Sequence, residues 1–143
     1  MLRRLDGWVK ARRSLAGRFN AQLGQLDALR VTEPPTEIFH AYYKYYVYVR
    51  PEQLVKGRGR EWILAQLAKA GIPCGVGACP EIYREKAFVN FRKRLGRPAQ
   101  KPHPVARQLG ETSMMFLVHP TLTAGHVDFT VDVLKNILSK AGK

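Results

Sequence analysis

Apolar side chains recur at steps of mostly three and four through the first third of a turn-rich chain: Leu5, Trp8, Val9, Ala16, Phe19, Leu23 and Leu26. Arg3, Arg4, Lys10, Arg12, Arg13 and Arg18 fall between them. That period predicts one long amphipathic helix over residues 1–29. Pro34-Pro35 and Thr36, within Arg30 to Glu37, mark a loop. His40 to Val49 is dense in aromatic and β-branched residues and predicts a strand. Arg50-Pro51 ends it, because proline has no N–H for the ladder. Alternate strand residues face opposite sides, which places Tyr43, Tyr45 or their neighbours in the core. After a flexible loop at Gly57 to Arg60, Glu61 to Ala70 predicts a helix with Trp62, Ile63, Leu67 and Ala70 on one face. Gly71 stands where a helix stops.

Ile72 to Val76 is a second predicted strand, followed by a Gly/Cys/Pro loop and a short segment, Glu81 to Phe88. Arg92 through Pro104 reads as an irregular basic loop and Val105 to Leu109 as a short helix ended by Gly110. Ser113 to Val118 is the third strand. Thr123 is placed to cap a last helix through about Ser139, whose stripe is Val127, Val131, Leu134, Ile137 and Leu138. Three short strands among helices predict an α+β fold, a small sheet covered by helices. The 143 residues fit a single domain, 1–143. The strand pattern alone leaves mixed and antiparallel pairing both open.

Charge changes the picture most. Lysine and arginine number 24 against 11 aspartates and glutamates, a net charge of +13. Such a field attracts nucleic acid, acidic membranes or phosphorylated ligands without choosing among them. With tyrosines interleaved among basic residues, it raises a basic nucleic-acid-binding module as one reading. No helix-turn-helix, RNP or zinc-finger pattern supports that module, so nucleic acid is disfavoured. No apolar run approaches the length needed to span a bilayer, and no signal-peptide core follows the first arginines. A cytoplasmic setting is therefore expected. Cys74 and Cys79, with four scattered histidines, lack the paired spacing of a metal site, and none is expected. Gly75-Val76-Gly77 lacks the rest of a dinucleotide fingerprint and is read as a tight turn.

The run Gly71-Ile72-Pro73-Cys74-Gly75-Val76-Gly77-Ala78-Cys79-Pro80-Glu81-Ile82-Tyr83-Arg84-Glu85-Lys86-Ala87-Phe88 resembles the DegT/DnrJ/StrS sugar aminotransferases. In that family a helix ends in Gly-Ile. A short strand follows, then a loop carrying histidine or tyrosine, then an aromatic five positions on; Tyr83 and Phe88 occupy those places. Trp8 to Leu23, His40 to Val49 and Ser113 to Thr123 resemble the flanking segments in order, so the resemblance covers nearly the whole chain. Many members carry His-Tyr where this chain has Gly77-Ala78.

The resemblance implies the carboxy-terminal, small domain of a fold-type-I aminotransferase. Its sheet would be small and mainly antiparallel. Residues 1–29 would lead out of a missing large domain, and 38–143 would form the small domain proper. The parent would use pyridoxal phosphate (PLP), act on a nucleotide-linked keto-sugar in sugar or polysaccharide biosynthesis, and be a homodimer. The family's Schiff-base lysine lies in an upstream motif that this chain lacks, so no catalytic residue and no cofactor-binding residue is expected here. The chain alone is expected to be incomplete for catalysis. Substrate-facing candidates are Tyr83, Glu81 and Cys79 in the loop, and Arg94 and Arg97 in the basic cluster with Arg92 and Lys93, which suits a diphosphate. His40 and His119 are read as turn or cap residues. A non-catalytic interaction domain derived from the same fold is a further alternative.

Overall fold

In a computed structural model, which describes residues 2–143, the apolar stripe of the first segment winds into α1, Leu5–Leu23, behind a short 3-10 turn. Val9, Leu15, Ala16, Phe19 and Leu23 are its buried residues. The helix ends six residues short of the predicted Leu29. Gly24 caps it, and the chain then turns into a three-residue strand, β1, Leu29–Val31. The apolar positions of β1 extend the helical period by chance, which hid the strand from the pattern. Helix α1 and strand β1 share one core with the rest of the chain.

Strand β2 is Tyr45–Val49, shorter than the predicted His40 to Val49. Tyr42 has φ 46°, a left-handed backbone rarely adopted by a bulky residue, and this breaks the extended chain ahead of β2. Tyr43 consequently leaves the strand and is 74% exposed, against its expected burial, whereas Tyr45 is 1% exposed. Tyr45, Val47 and Val49 alternate into the core and Tyr46 and Tyr48 face away, half-buried.

Helix α2 is Arg60–Lys69, and Gly71 follows it with φ 74° as expected of a helix stop. β3 is only Cys74–Gly75. A 3-10 turn at Ile82–Arg84 leads to α3, Lys86–Arg94. Arg92, Lys93 and Arg94 therefore belong to a helix, and the irregular stretch begins at Leu95. α4, Pro104–Thr112, runs directly into β4, Ser113–Phe116, and α5, Ala124–Ala141, closes the chain. Thr123 caps α5 reciprocally with His126.

The sheet has four strands rather than three, in the order β1-β2-β4-β3, every pair antiparallel. One face packs on α1, α2 and α5 through Phe19, Ile63, Leu67, Val127, Val131 and Leu134. Phe19 stacks on Tyr45 with ring centroids 4.8 Å apart and on Phe116 at 5.6 Å, joining α1 to both central strands. The Tyr45 hydroxyl donates to Asn20 Oδ1 at 2.8 Å, which satisfies a buried phenol whose ionisation burial pushes well up. No described helix is long and apolar enough to cross a membrane.

Candidate functional site

The chain leaving β3 is held by three close fits. Ser113 Oγ donates to the Val76 carbonyl at 2.7 Å. Gly77, φ 84°, lies under the Tyr46 ring, which is the work of the glycine run read above as a tight turn. Pro80 packs on α4 at Gly110, where a β-carbon would come within 2.2 Å of Pro80 Cγ. These contacts bring the 3-10 turn against α4, and α3 then stands opposite. The resulting cavity, about 580 Å³, is walled by the turn, α3, residues 97–102 and α4.

Its charged lining is five cations, Arg84, Arg92, Lys93, Arg97 and Arg107, against the carboxylate of Glu81. Glu81 is fully engaged. The Tyr83 hydroxyl donates to its Oε1 at 2.5 Å and Arg84 Nη1 to its Oε2 at 3.0 Å. The Tyr83 bond first, and Arg84 after it, hold the carboxyl below its usual range against partial desolvation. The same shared proton pushes the Tyr83 phenol up. Arg107 pairs with Glu111 at 2.8 Å, and Arg92 donates from Nε and Nη2 to the Pro98 carbonyl at 3.1 and 2.8 Å. Among the described residues, Lys93 and Arg97 form neither ion pair nor side-chain hydrogen bond, and they are the cations free for a ligand.

Of the five residues singled out in the sequence, Tyr83, Glu81 and Arg97 meet in this cavity; Cys79 and Arg94 do not line it. Cys79 is exposed, and the neighbouring Glu85 carboxylate is the main cause raising its thiol pKa. Arg94 is exposed at the end of α3. Arg84, Arg107 and Gln100 were not picked out by sequence. Arg107 sits on another helix, and nothing in its local pattern signals the company it keeps.

The open face of the sheet carries a second, smaller cleft of about 350 Å³ lined by His40, Tyr43, Lys44, Tyr46 and Ala78. Its neighbour Tyr48 is covered by the Arg30 guanidinium, 4.2 Å from the ring centroid. With Tyr45 buried, the tyrosines do not form a continuous stacking platform. His119 bonds Thr121 beside it, as a turn residue does. His40 accepts from the Tyr42 amide and likewise serves its own turn. No cluster of metal-ligating side chains occurs among the described residues.

The profile of the DegT/DnrJ/EryC1/StrS aminotransferase family matches residues 1–135. The solved structure of the aminotransferase from Psychrobacter cryohalolentis is 37% identical with a TM-score of 0.83, over 97% of this chain and 36% of that one. The aminotransferase TlmJ from Streptoalloteichus hindustanus shares the fold at 22% identity and a TM-score of 0.80, over 97% of this chain and 34% of that one. A putative sugar aminotransferase, Spr1654 from Streptococcus pneumoniae, in its PLP form, shares it at 21% and 0.77, over 97% and 33%. No curated protein matches. The chain spans about a third of the length of these structures.

A Schiff-base site needs a sheltered lysine. Nine of this chain's ten lysines are exposed, and the tenth, Lys44, lies beside the Tyr43 ring. These residues do not by themselves make a PLP site.

Proposed function

The chain belongs to the DegT/DnrJ/EryC1/StrS aminotransferase family, and from that premise we propose that it is the small, carboxy-terminal domain of a sugar aminotransferase. The parent moves an amino group to a nucleotide-linked keto-sugar, and PLP, held by a large domain, supplies the electron sink for that chemistry. Residues 1–29 lead out of that large domain and 38–143 build the wall that closes over the substrate. The parent is a cytoplasmic homodimer.

The observation that carries this reading is the cavity, where Lys93 and Arg97, without a side-chain partner among the described residues, stand with Arg92, which is held only by a carbonyl, and with Arg84 and Arg107, which are paired with carboxylates. A cationic, partly sheltered site of this size suits the diphosphate of a nucleotide sugar. Glu81 and Tyr83 belong to its wall. Arg94 and Cys79 flank it, Arg94 adding to the field that draws the anion in. The domain's own part is to bind and orient, and to exclude water when the large domain is in place.

The test is a PLP titration of the chain with borohydride trapping, followed by mass spectrometry, beside calorimetric titration with uridine diphosphate. Scattered, substoichiometric labelling together with saturable nucleotide binding is the expected result. One lysine labelled at one-to-one stoichiometry would show a chain that holds its own cofactor, and catalytic incompleteness would be wrong. Nucleotide affinity unchanged by charge reversal at Arg92, Lys93, Arg94 and Arg97 would remove the diphosphate role.

A further inference from the structure

Residues 95–103 cross from α3 to α4 without helix or strand, and every one of them is exposed. A segment with so little burial keeps its shape only through discrete tethers. Its near end is fixed by the close of α3. The Gly96 and Arg97 amides donate to the Lys93 and Arg92 carbonyls at 3.1 and 3.0 Å, with Gly96 at φ 61°, a left-handed helix stop. Its middle is fixed by the two bonds from Arg92 to the Pro98 carbonyl.

The far end is fixed from across the cavity. The His103 amide donates to the Tyr83 hydroxyl at 3.1 Å, and the His103 ring meets the Tyr83 ring edge to face at 5.2 Å. Tyr83 has one phenolic proton, and it is donated to Glu81. That bond turns an oxygen lone pair toward His103. The turn carrying Tyr83 is itself anchored to α4 by Pro80 on Gly110. His103 is the residue that caps α4 at Pro104, so the clip sits where the segment enters the helix.

Resting on the reading of this cavity as a phosphate-binding wall, we infer that Tyr83 is a positioning residue. Its hydroxyl, steered by Glu81, holds residues 97–102 over the cavity, so that Arg97 presents its guanidinium beside Lys93 to a phosphoryl ligand. Lys93 and Arg97 touch the anion; Tyr83 acts through them.

The probe is inorganic pyrophosphate, titrated calorimetrically into the full chain with sulfate at equal ionic strength as control. Exchange of the His103 amide is followed alongside. For Tyr83→Phe, which keeps the ring, His103 exchange should rise about tenfold as the tether opens. The pyrophosphate Kd should rise about three- to tenfold, as befits one hydrogen bond, with the melting temperature unchanged. Lys93→Ala should weaken pyrophosphate while leaving His103 protected, which separates touching from positioning. Glu81→Gln, a second variant that keeps the shape, should fall between wild type and Tyr83→Phe in both readouts. Pyrophosphate affinity unmoved by Tyr83→Phe, or a His103 amide still protected in it, overturns the positioning role alone. A wild-type chain that binds pyrophosphate no better than sulfate overturns the reading of the cavity, and this inference with it.

Discussion

The ring of Tyr46 stands on Gly77: a β-carbon built there would lie 2.3 Å from Tyr46 Cε1 and 2.7 Å from its hydroxyl oxygen. Gly77 also has φ 84°. Two separate penalties therefore meet any side chain at this position, a left-handed backbone and a collision. Gly77→Ala should destabilise the chain by about 2–5 kcal/mol, summing typical costs of each. Adding Tyr46→Ala removes the collision and leaves the backbone cost, so the double variant should be more stable than the sum of the singles. Urea denaturation of the four chains in a double-mutant cycle measures this coupling. Strict additivity would mean that the ring and the loop are independent.

Phe19 carries the join between α1 and the sheet, because its ring touches both Tyr45 and Phe116 and is 2% exposed. Phe19→Ala opens a cavity at that junction and should cost about 3–5 kcal/mol. Tyr45→Phe keeps the stack and removes only the bond to Asn20, for about 1 kcal/mol. Thermal melts of the two variants should rank them in that order by a wide margin. Equal losses would place the stability in the hydrogen bond rather than the stack.

These two sites mark how far the sequence could be read. The period of three and four that predicted α1 also predicted Phe19 among its apolar positions, and the stripe of α5 from Val127 to Leu138 is buried as expected. Long periodic segments carry many agreeing positions, so they are legible. β1 was not, because three residues are too few to set a period of two against a helical period that Leu26 and Leu29 extend past the end of α1. Tyr43 was misplaced because alternation holds only while the backbone stays extended, and Tyr42 leaves that region. In the cavity, the basic cluster was visible as a run, whereas Arg107 comes from α4, which packs on the loop where Pro80 seats on Gly110. No local pattern encodes that contact.

The two thiols should separate by reactivity. Cys74 is partly buried beside β4, and burial pushes its thiol up to about 12, while Cys79 is exposed. Iodoacetamide at neutral pH should alkylate Cys79 first and leave Cys74 unmodified until the chain unfolds. Cys79 should itself react more slowly than a free cysteine, because the neighbouring Glu85 carboxylate raises its pKa and lowers the thiolate fraction. Glu85→Gln should speed it. Mass spectrometry of time points gives both rates, and equal labelling of the two cysteines would contradict the burial of Cys74.

The contact between α1 and α5 has a charged clasp that makes stability depend on pH. Arg18 donates from Nε and Nη2 to the two oxygens of Asp128, each at 2.6 Å, and Gln22 adds a bond at 2.9 Å. The Arg18 bond first, and Gln22 next, hold the Asp128 carboxyl below its usual range in the folded chain. A folded-state pKa below the unfolded one means that folding favours the ionised form. The stabilisation is complete above the ordinary aspartate pKa of about 3.9 and is lost as pH falls through the depressed folded value. The pair is open to solvent, so the contribution is modest and screened by salt. Asp128→Asn should therefore lower the melting temperature slightly at neutral pH and have no such effect at the acid end, where the wild-type carboxyl is protonated too. Melting curves of both chains across that range should converge as pH drops, and added salt should narrow the gap at neutral pH. A gap that stays constant down through the acid limb would assign the effect of residue 128 to packing rather than to its charge.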